Sequence, residues 1–260
     1  MTPAGNFLAS GNPLNAHGAR GVLNQSLRRW NALKGDEPKT LPKINSKIKS
    51  GKGLPTDGII LREVMRDLPR SIQNRDSWRH NLDHFWISQS ECLELLPEKI
   101  EAGESKDIEG NFKRKLLQFH VVDQVRGQAS PWKKGEIKDS KLKAFVESSD
   151  DQWIKLNVVG AAKMRKEPSG QQNPYTGNHV SRECGMDLKI AGLATFNRST
   201  QRFEKFDMVA VGERWGTDVF NFRDKDPGPH PIGFAFEMLP ADAANRPIPT
   251  FSRWANYAGK

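Results

Sequence analysis

The sequence predicts an α+β protein, with short N-terminal helices packed on a curved, half-barrel-like antiparallel β-meander of about six strands. Three observations carry this. Before residue 120 apolar residues recur at spacings of three and four, the period of a helix with one buried face. After it, apolar and polar residues alternate with period two, the pattern of a strand with one buried face. Two of those strands, Leu156 to Met164 and Leu188 to Phe196, match position for position as apolar, x, apolar, x, Gly, x, Ala, x, apolar.

Taken in order, Val22, Leu23, Leu27, Trp30 and Leu33 line one face of a helix between Asn15 and Leu33, and Gly35 is placed to end it. From Glu37 to Asp57 the prolines and glycines (Pro38, Pro42, Pro55, Gly51, Gly53) among lysines and serines predict a linker. Ile59 to Leu68 reads as a second short helix, bounded by Pro69. Ser88 and Glu91 have the spacing of a capping box, which starts a short helix with Cys92, Leu95 and Leu96 as its apolar stripe, stopped near Pro97. Asn111 to Phe119 forms one more amphipathic helix, with Phe112, Leu116 and Phe119 together.

The predicted strands then begin with Lys141 to Val146, followed by the matched pair. Asn197 to Gln201 is a turn of hairpin length, so the strand ending at Phe196 should pair with Arg202 to Gly212. Phe203 and Phe206 have opposite parity, which predicts a bulge near Glu204 or Lys205. Val219 to Phe222 and Ile232 to Leu239 are further strands, and Met164 to Asp187 reads as an exposed loop. The small residues Gly160, Ala162, Gly192 and Ala194 admit two readings: a sheet bent closely over a helix, or the floor of a shallow ligand cavity. The expected organisation is a basic arm over 1–67 with one helix and a flexible linker, an α+β domain over 68–239 (helices 68–119, β-meander 120–239), and a C-terminal tail over 240–260.

Composition narrows the function classes. The chain has 260 residues and a formal charge of +9, with mean hydropathy -0.68 and an isoelectric point near 9.6. Residues 1–60 hold nine Lys and Arg against three acids, so most of the excess is spread along the arm, and specific nucleic-acid binding is not expected. Charges interrupt every apolar run well short of the ~18 residues that a spanning helix needs. Met1 to Pro13 lacks the basic and apolar regions of an export signal, so a cytoplasmic location is expected, or export if the N-terminus is incomplete. Cys92 and Cys184 belong to no C-x-x-C, which removes thiolate zinc and haem attachment; both are expected as small buried residues, pairing with each other only in an exported protein.

Three constellations could carry chemistry. His80 and His84 would share a helix face within reach of one metal ion, and Asp83 could add an oxygen from one position off that face, but there is no other obvious third ligand and aromatic residues surround them, so packing is the expectation and no metal or other cofactor is assigned. His120, Asp123 and Arg126 would lie on a strand from His120 to Gly127; a bend at His120 would converge them on a polar site, and otherwise Asp123 pairs with Arg126. Arg214, Trp215 and Arg223 lie in a turn-rich stretch suited to an acidic or planar ligand, or else its arginines brace a long hairpin. Phosphate-binding loops and nucleophile elbows are absent from the sequence.

A succession of motifs carries a resemblance: Ser88-x-x-Glu91 with Leu95-Leu-Pro97, His120-Val-Val-Asp123 with Arg126-Gly127 and Trp132, Gly192-x-Ala194, Arg202-Phe203-x-x-Phe206-Asp207, Gly212-Glu213-x-Trp215-Gly216 and Gly228-Pro-x-Pro-x-Gly233-Phe234. Over Leu68 to Leu239 the chain resembles an uncharacterised bacterial protein family. The resemblance implies a shared β-rich fold and no reaction. The expected function is therefore a non-enzymatic ligand-binding or structural protein on a curved sheet, with a small hydrophobic or acidic ligand. The alternative is a metal-assisted or hydrolase-like enzyme with a polar site around His120, Asp123 and Arg126.

Overall fold

The computed structural model of the protein describes residues 57–68, 80–172, 177, 183–240, 248–251 and 257, and helical positions between 21 and 32. Chain contacts divide it into two units, Met1–Lys49 and Ser50–Lys260. In the first, Gly21, Leu23 to Gln25, Leu27, Arg28, Asn31 and Ala32 are helical, as their spacing predicts, and Leu23 and Leu27 are exposed. The Gly35 stop and most of the expected linker lie outside the described residues.

The second unit contains one open, antiparallel sheet of eight strands: β1 (Ile59–Asp67), β2 (His80–Ile87), β3 (Ser105–Asp107), β4 (Ile137–Ser149), β5 (Trp153–Lys166), β6 (Cys184–Asn197), β7 (Arg202–Trp215) and β8 (His230–Met238). Their spatial order is β2-β1-β8-β7-β6-β5-β4-β3. The matched stretches are the adjacent strands β5 and β6, and their antiparallel pairing sets Gly160 opposite Ile190 and Gly192 opposite Val158. Each glycine is thus a gap beside a bulky neighbour. A Cβ on Gly160 would come within 2.7 Å of Leu142 Cδ1, and one on Gly192 within 3.1 Å of Met208 Cβ. With Ala162 and Ala194 buried beside them, these positions are closely packed.

Hairpin chemistry is equally local. Thr195 pairs with Lys205 but Phe196 pairs with Phe203, so Glu204 is the extra residue of a bulge. That single insertion turns both Phe203 and Phe206 to the buried face. Ser88 caps the helix Gln89–Leu93 in the expected capping box, its Oγ accepting from Glu91 N–H at 3.3 Å while Glu91 Oε2 accepts from Ser88 N–H at 2.8 Å. Asn111–Lys115 is α-helical and runs on into a π-helical turn, Leu116–His120. Phe112 lies against Phe206 of β7 (ring centroids 5.9 Å) and Phe85 of β2 (5.5 Å), which fixes this helical segment on the buried face of the sheet.

Several expectations are corrected. Ile59 to Leu68 is the strand β1 rather than a helix, and it lies between β2 and β8, so the sheet begins before residue 68 and has eight strands instead of six. The strand expected from His120 to Gly127 is a π-turn followed by irregular chain, and Val219 to Phe222 is a turn. His80 and His84 sit on β2, where four residues span ~13 Å rather than one helical turn, which puts a shared ion out of reach. Phe251 and Tyr257, from the expected tail, belong to the core. Among the described residues no helix is long and apolar enough to cross a membrane.

Candidate functional site

Five of the six residues singled out in the sequence gather at one end of the sheet, around Arg223. Its guanidinium is fully buried and donates to Asp123 (2.8 and 2.7 Å) and to Asp67 at the end of β1 (2.8 and 2.7 Å). Arg126 pairs with Asp67 (3.0 Å) and Asp226 (2.6 Å), and Arg214, near the end of β7, pairs with Asp226 (2.8 Å). His230 lies 2.9 Å from Asp226. Asp123 and Arg126 thus join one network through different partners rather than each other. Three arginines face three aspartates, so the network is neutral without a bound ion.

Burial alone would lift the Asp67 carboxyl, but its hydrogen bonds and ion pairs with Arg223, then Arg126, hold it below the usual carboxylate range. The same carboxylates keep the Arg223 guanidinium charged against the cost of burial. Beside the network lies a cavity of about 20 Å³, lined in part by Asp123, Trp132, Lys166, Arg214 and Asn221. That is room for about one water molecule, not for a substrate. Trp215 is the member that faces outward. With Glu183, Pro227, Pro229 and two glycines it lines an open groove of about 510 Å³. Its indole packs over Gly185, where a side chain would collide with the ring, and its Nε1–H donates to Glu183 Oε1 (3.3 Å).

His120 stands apart from the other five. Glu63 and Asp83 are directly opposed on β1 and β2, and both side chains point into the core. His120, at the end of the π-turn, places Nδ1 2.7 Å from Glu63 Oε2 and Nε2 2.9 Å from the Tyr257 hydroxyl. The Tyr257 hydroxyl also accepts from Trp86 N–H (3.3 Å). Asp83 Oδ1 accepts backbone N–H groups from His84 (2.8 Å) and Thr250 (2.9 Å). One oxygen of each, Glu63 Oε1 and Asp83 Oδ2, is buried with no hydrogen-bond partner. Among the described residues no lysine or arginine pairs with either carboxylate; the nearby Lys115 is bound to Glu91 (2.8 Å) and to Trp86 O (2.6 Å). Burial, then the Asp83 charge, pushes the Glu63 carboxyl well up, and burial pushes His120 well down.

Sequence reasoning passed over Glu63, and weighed Asp83 only as an added oxygen beside His80 and His84, because both sit at inward positions of their strands. Leu61-x-Glu63-x-Met65 and Asp83-x-Phe85-x-Ile87 do alternate, but each has an acid where an apolar residue belongs, while Leu82 points outward. An acid in the apolar phase of a strand is the signal that marks them. Cys92 and Cys184 are free, buried thiols, each pushed up to about 12 by burial. No family model, curated protein or solved structure matches the chain.

Proposed function

We propose that the protein is a non-enzymatic binding protein whose recognition surface is the groove at Trp215. The observation that carries this reading is the combination of an indole, two prolines and two glycines around an open space of about 510 Å³, within the ~300–1,000 Å³ range of small-ligand sites. The Arg223 network braces that end of the sheet from inside, so the groove has a rigid floor. The ligand that fits is small, planar and uncharged. Arg214 and Arg223 spend their charge on Asp67, Asp123 and Asp226, and leave no guanidinium for an acid. The sheet is read as a half-barrel curled around the helical segment, since Phe112 reaches rings on β2 and β7, three places apart in the strand order. Its concave side is packed with Phe85, Phe196, Phe206, Phe234 and Met164, which favours an outside groove over an interior pocket.

An enzyme built on His120, Asp123 and Arg126 has less support: His120 is buried and bonded to Glu63 and Tyr257, away from the other two. The resemblance to an uncharacterised bacterial family points to no reaction either. Titration of ¹⁵N-labelled protein with indole and with indole-3-acetate tests the reading. Indole should move the Trp215 Nε1–H resonance and the Gly216 and Gly228 amides, indole-3-acetate should bind no better, and Trp215→Ala should abolish the shifts. Shifts that survive Trp215→Ala, or none with either probe, would discard the groove.

A further inference from the structure

We propose that Glu63, Asp83 and His120 form a site for one divalent transition-metal ion of the zinc class, closed over by Tyr257. This stands apart from the Trp215 groove and does not depend on it.

The argument starts from charge. Two carboxylates directly opposed across β1 and β2, each at least nine-tenths buried, present unpartnered oxygens to the same interior space. Among the described residues no lysine or arginine neutralises them, in contrast to the balanced network around Arg223. Unpaired buried carboxylates are costly, and the groups that relieve that cost are a proton or a cation. The third group selects the cation. A ligating atom from each of Glu63, Asp83 and His120 lies within 4.8 Å of the others. An imidazole with two carboxylates is a nitrogen and oxygen set that zinc and its first-row neighbours accept. Calcium, which takes six to eight oxygens, and magnesium, which keeps several waters, fit a closed apolar interior badly.

The surroundings supply what such an ion requires. With Nδ1 turned to the ion, the Nε2–H of His120 donates to the Tyr257 hydroxyl, and that outer contact fixes the tautomer and ring orientation. Phe85 stacks on the imidazole at 4.2 Å between ring centroids and holds its plane. Thr250 and His84 backbone groups hold the other oxygen of Asp83, so that Oδ2 is the one left for the ion. His120 itself ends a π-helical turn, a rare element that recurs at functional sites. The ion would carry two positive charges into a pocket that holds two carboxylates, which leaves the interior neutral.

Because the site is sealed, the test loads it during folding. The full chain is unfolded in denaturant with a chelator and refolded with chelator, Zn²⁺ or Co²⁺, and metal content is read by mass spectrometry after gel filtration. The expected result is one ion per chain and a higher Tm than the chelated protein. X-ray absorption of the zinc-loaded wild type should show one imidazole and only oxygen besides. Glu63→Gln with Asp83→Asn should fold without metal and bind more weakly than the ~10–100-fold loss typical of outer-contact changes, while Tyr257→Phe should fall within that loss. Three results overturn the site. One is wild type that stays metal-free after refolding with both ions; another is thiolate or water-only ligation in the absorption spectrum; the third is undiminished loading of the doubly substituted chain. The absorption measurement uses wild type alone, so it decides the matter even if the variant fails to fold.

Discussion

Arg223 makes four hydrogen bonds to two carboxylates with none of its surface exposed. Removing one partner from a buried ion pair leaves the other charges uncompensated. Arg223→Met should therefore cost about 3–5 kcal/mol in urea unfolding. Arg62 also pairs with an acid, Glu237, but both side chains are about half exposed or more, so Arg62→Met should cost at most ~1 kcal/mol. Equal costs for the two would deny the network its role. The same network sets an acid limit. The Asp67 carboxyl is held below its usual range, so its contribution to stability is complete above the unfolded value of ~3.9 and is lost as pH falls through the lower folded value. Asp67→Asn should be less stable than wild type near neutrality, and its acid unfolding limb should be shallower.

Single elements carry their own tests. Gly160 has no room for a methyl group against Leu142 and the Lys141 carbonyl, so Gly160→Ala should destabilise by about 1–3 kcal/mol through overpacking. Gly135 has nothing within 4 Å of the same methyl, and Gly135→Ala should be close to neutral in the same thermal-melt comparison. Ser88→Ala removes one half of the capping box and should cost about 0.5–2 kcal/mol. The bulge at Glu204 matters through register. Deleting it would set Phe203 and Phe206 two apart on one face of an unbulged strand, so the shortened hairpin should keep both rings buried and melt close to wild type, whereas inserting a second residue beside Glu204 should send one of them to solvent and lower the melting temperature.

At the scale of the molecule, Phe251 and Tyr257 act as part of the core. Tyr257 is fully buried, with its hydroxyl bonded to His120 and Trp86 and its ring edge-on to Phe119, and Phe251 packs on the same Phe119. A chain ended at Pro240 loses both aromatic side chains, each worth ~1.5–3 kcal/mol of burial, and uncovers the acid pair. Its unfolding free energy should drop by more than ~3 kcal/mol, and an unchanged value would place these residues outside the cooperative unit. The outer face of the sheet also departs from simple alternation. Val159, Ala191, Val209, Ala235, Val64 and Leu82 form one cross-strand row of apolar residues, and most of it is exposed.

The sequence by itself determined whatever is written in short-range pattern. The two Gly-and-Ala strands, the bulge that reconciles Phe203 with Phe206, the Ser88 capping box and the Phe112 helix all follow from spacing within about a dozen residues, because side-chain direction there depends on local period alone. It also marked Asp123, Arg126, Arg214, Trp215 and Arg223 as polar residues of interest. Tertiary structure decided their partners. Asp67, 156 positions from Arg223 in the chain, completes the network. The identity of β1 and β2 was hidden by the acids at their inward positions, and Leu61, Val64, Met65 and Leu68 imitate a helical stripe when Glu63 is read as surface. Only assembly of the sheet, with β1 between β2 and β8 and Tyr257 packed against His120, brings Glu63, Asp83 and His120 together. A charge whose partner lies far along the chain leaves no local period from which the pairing could be read.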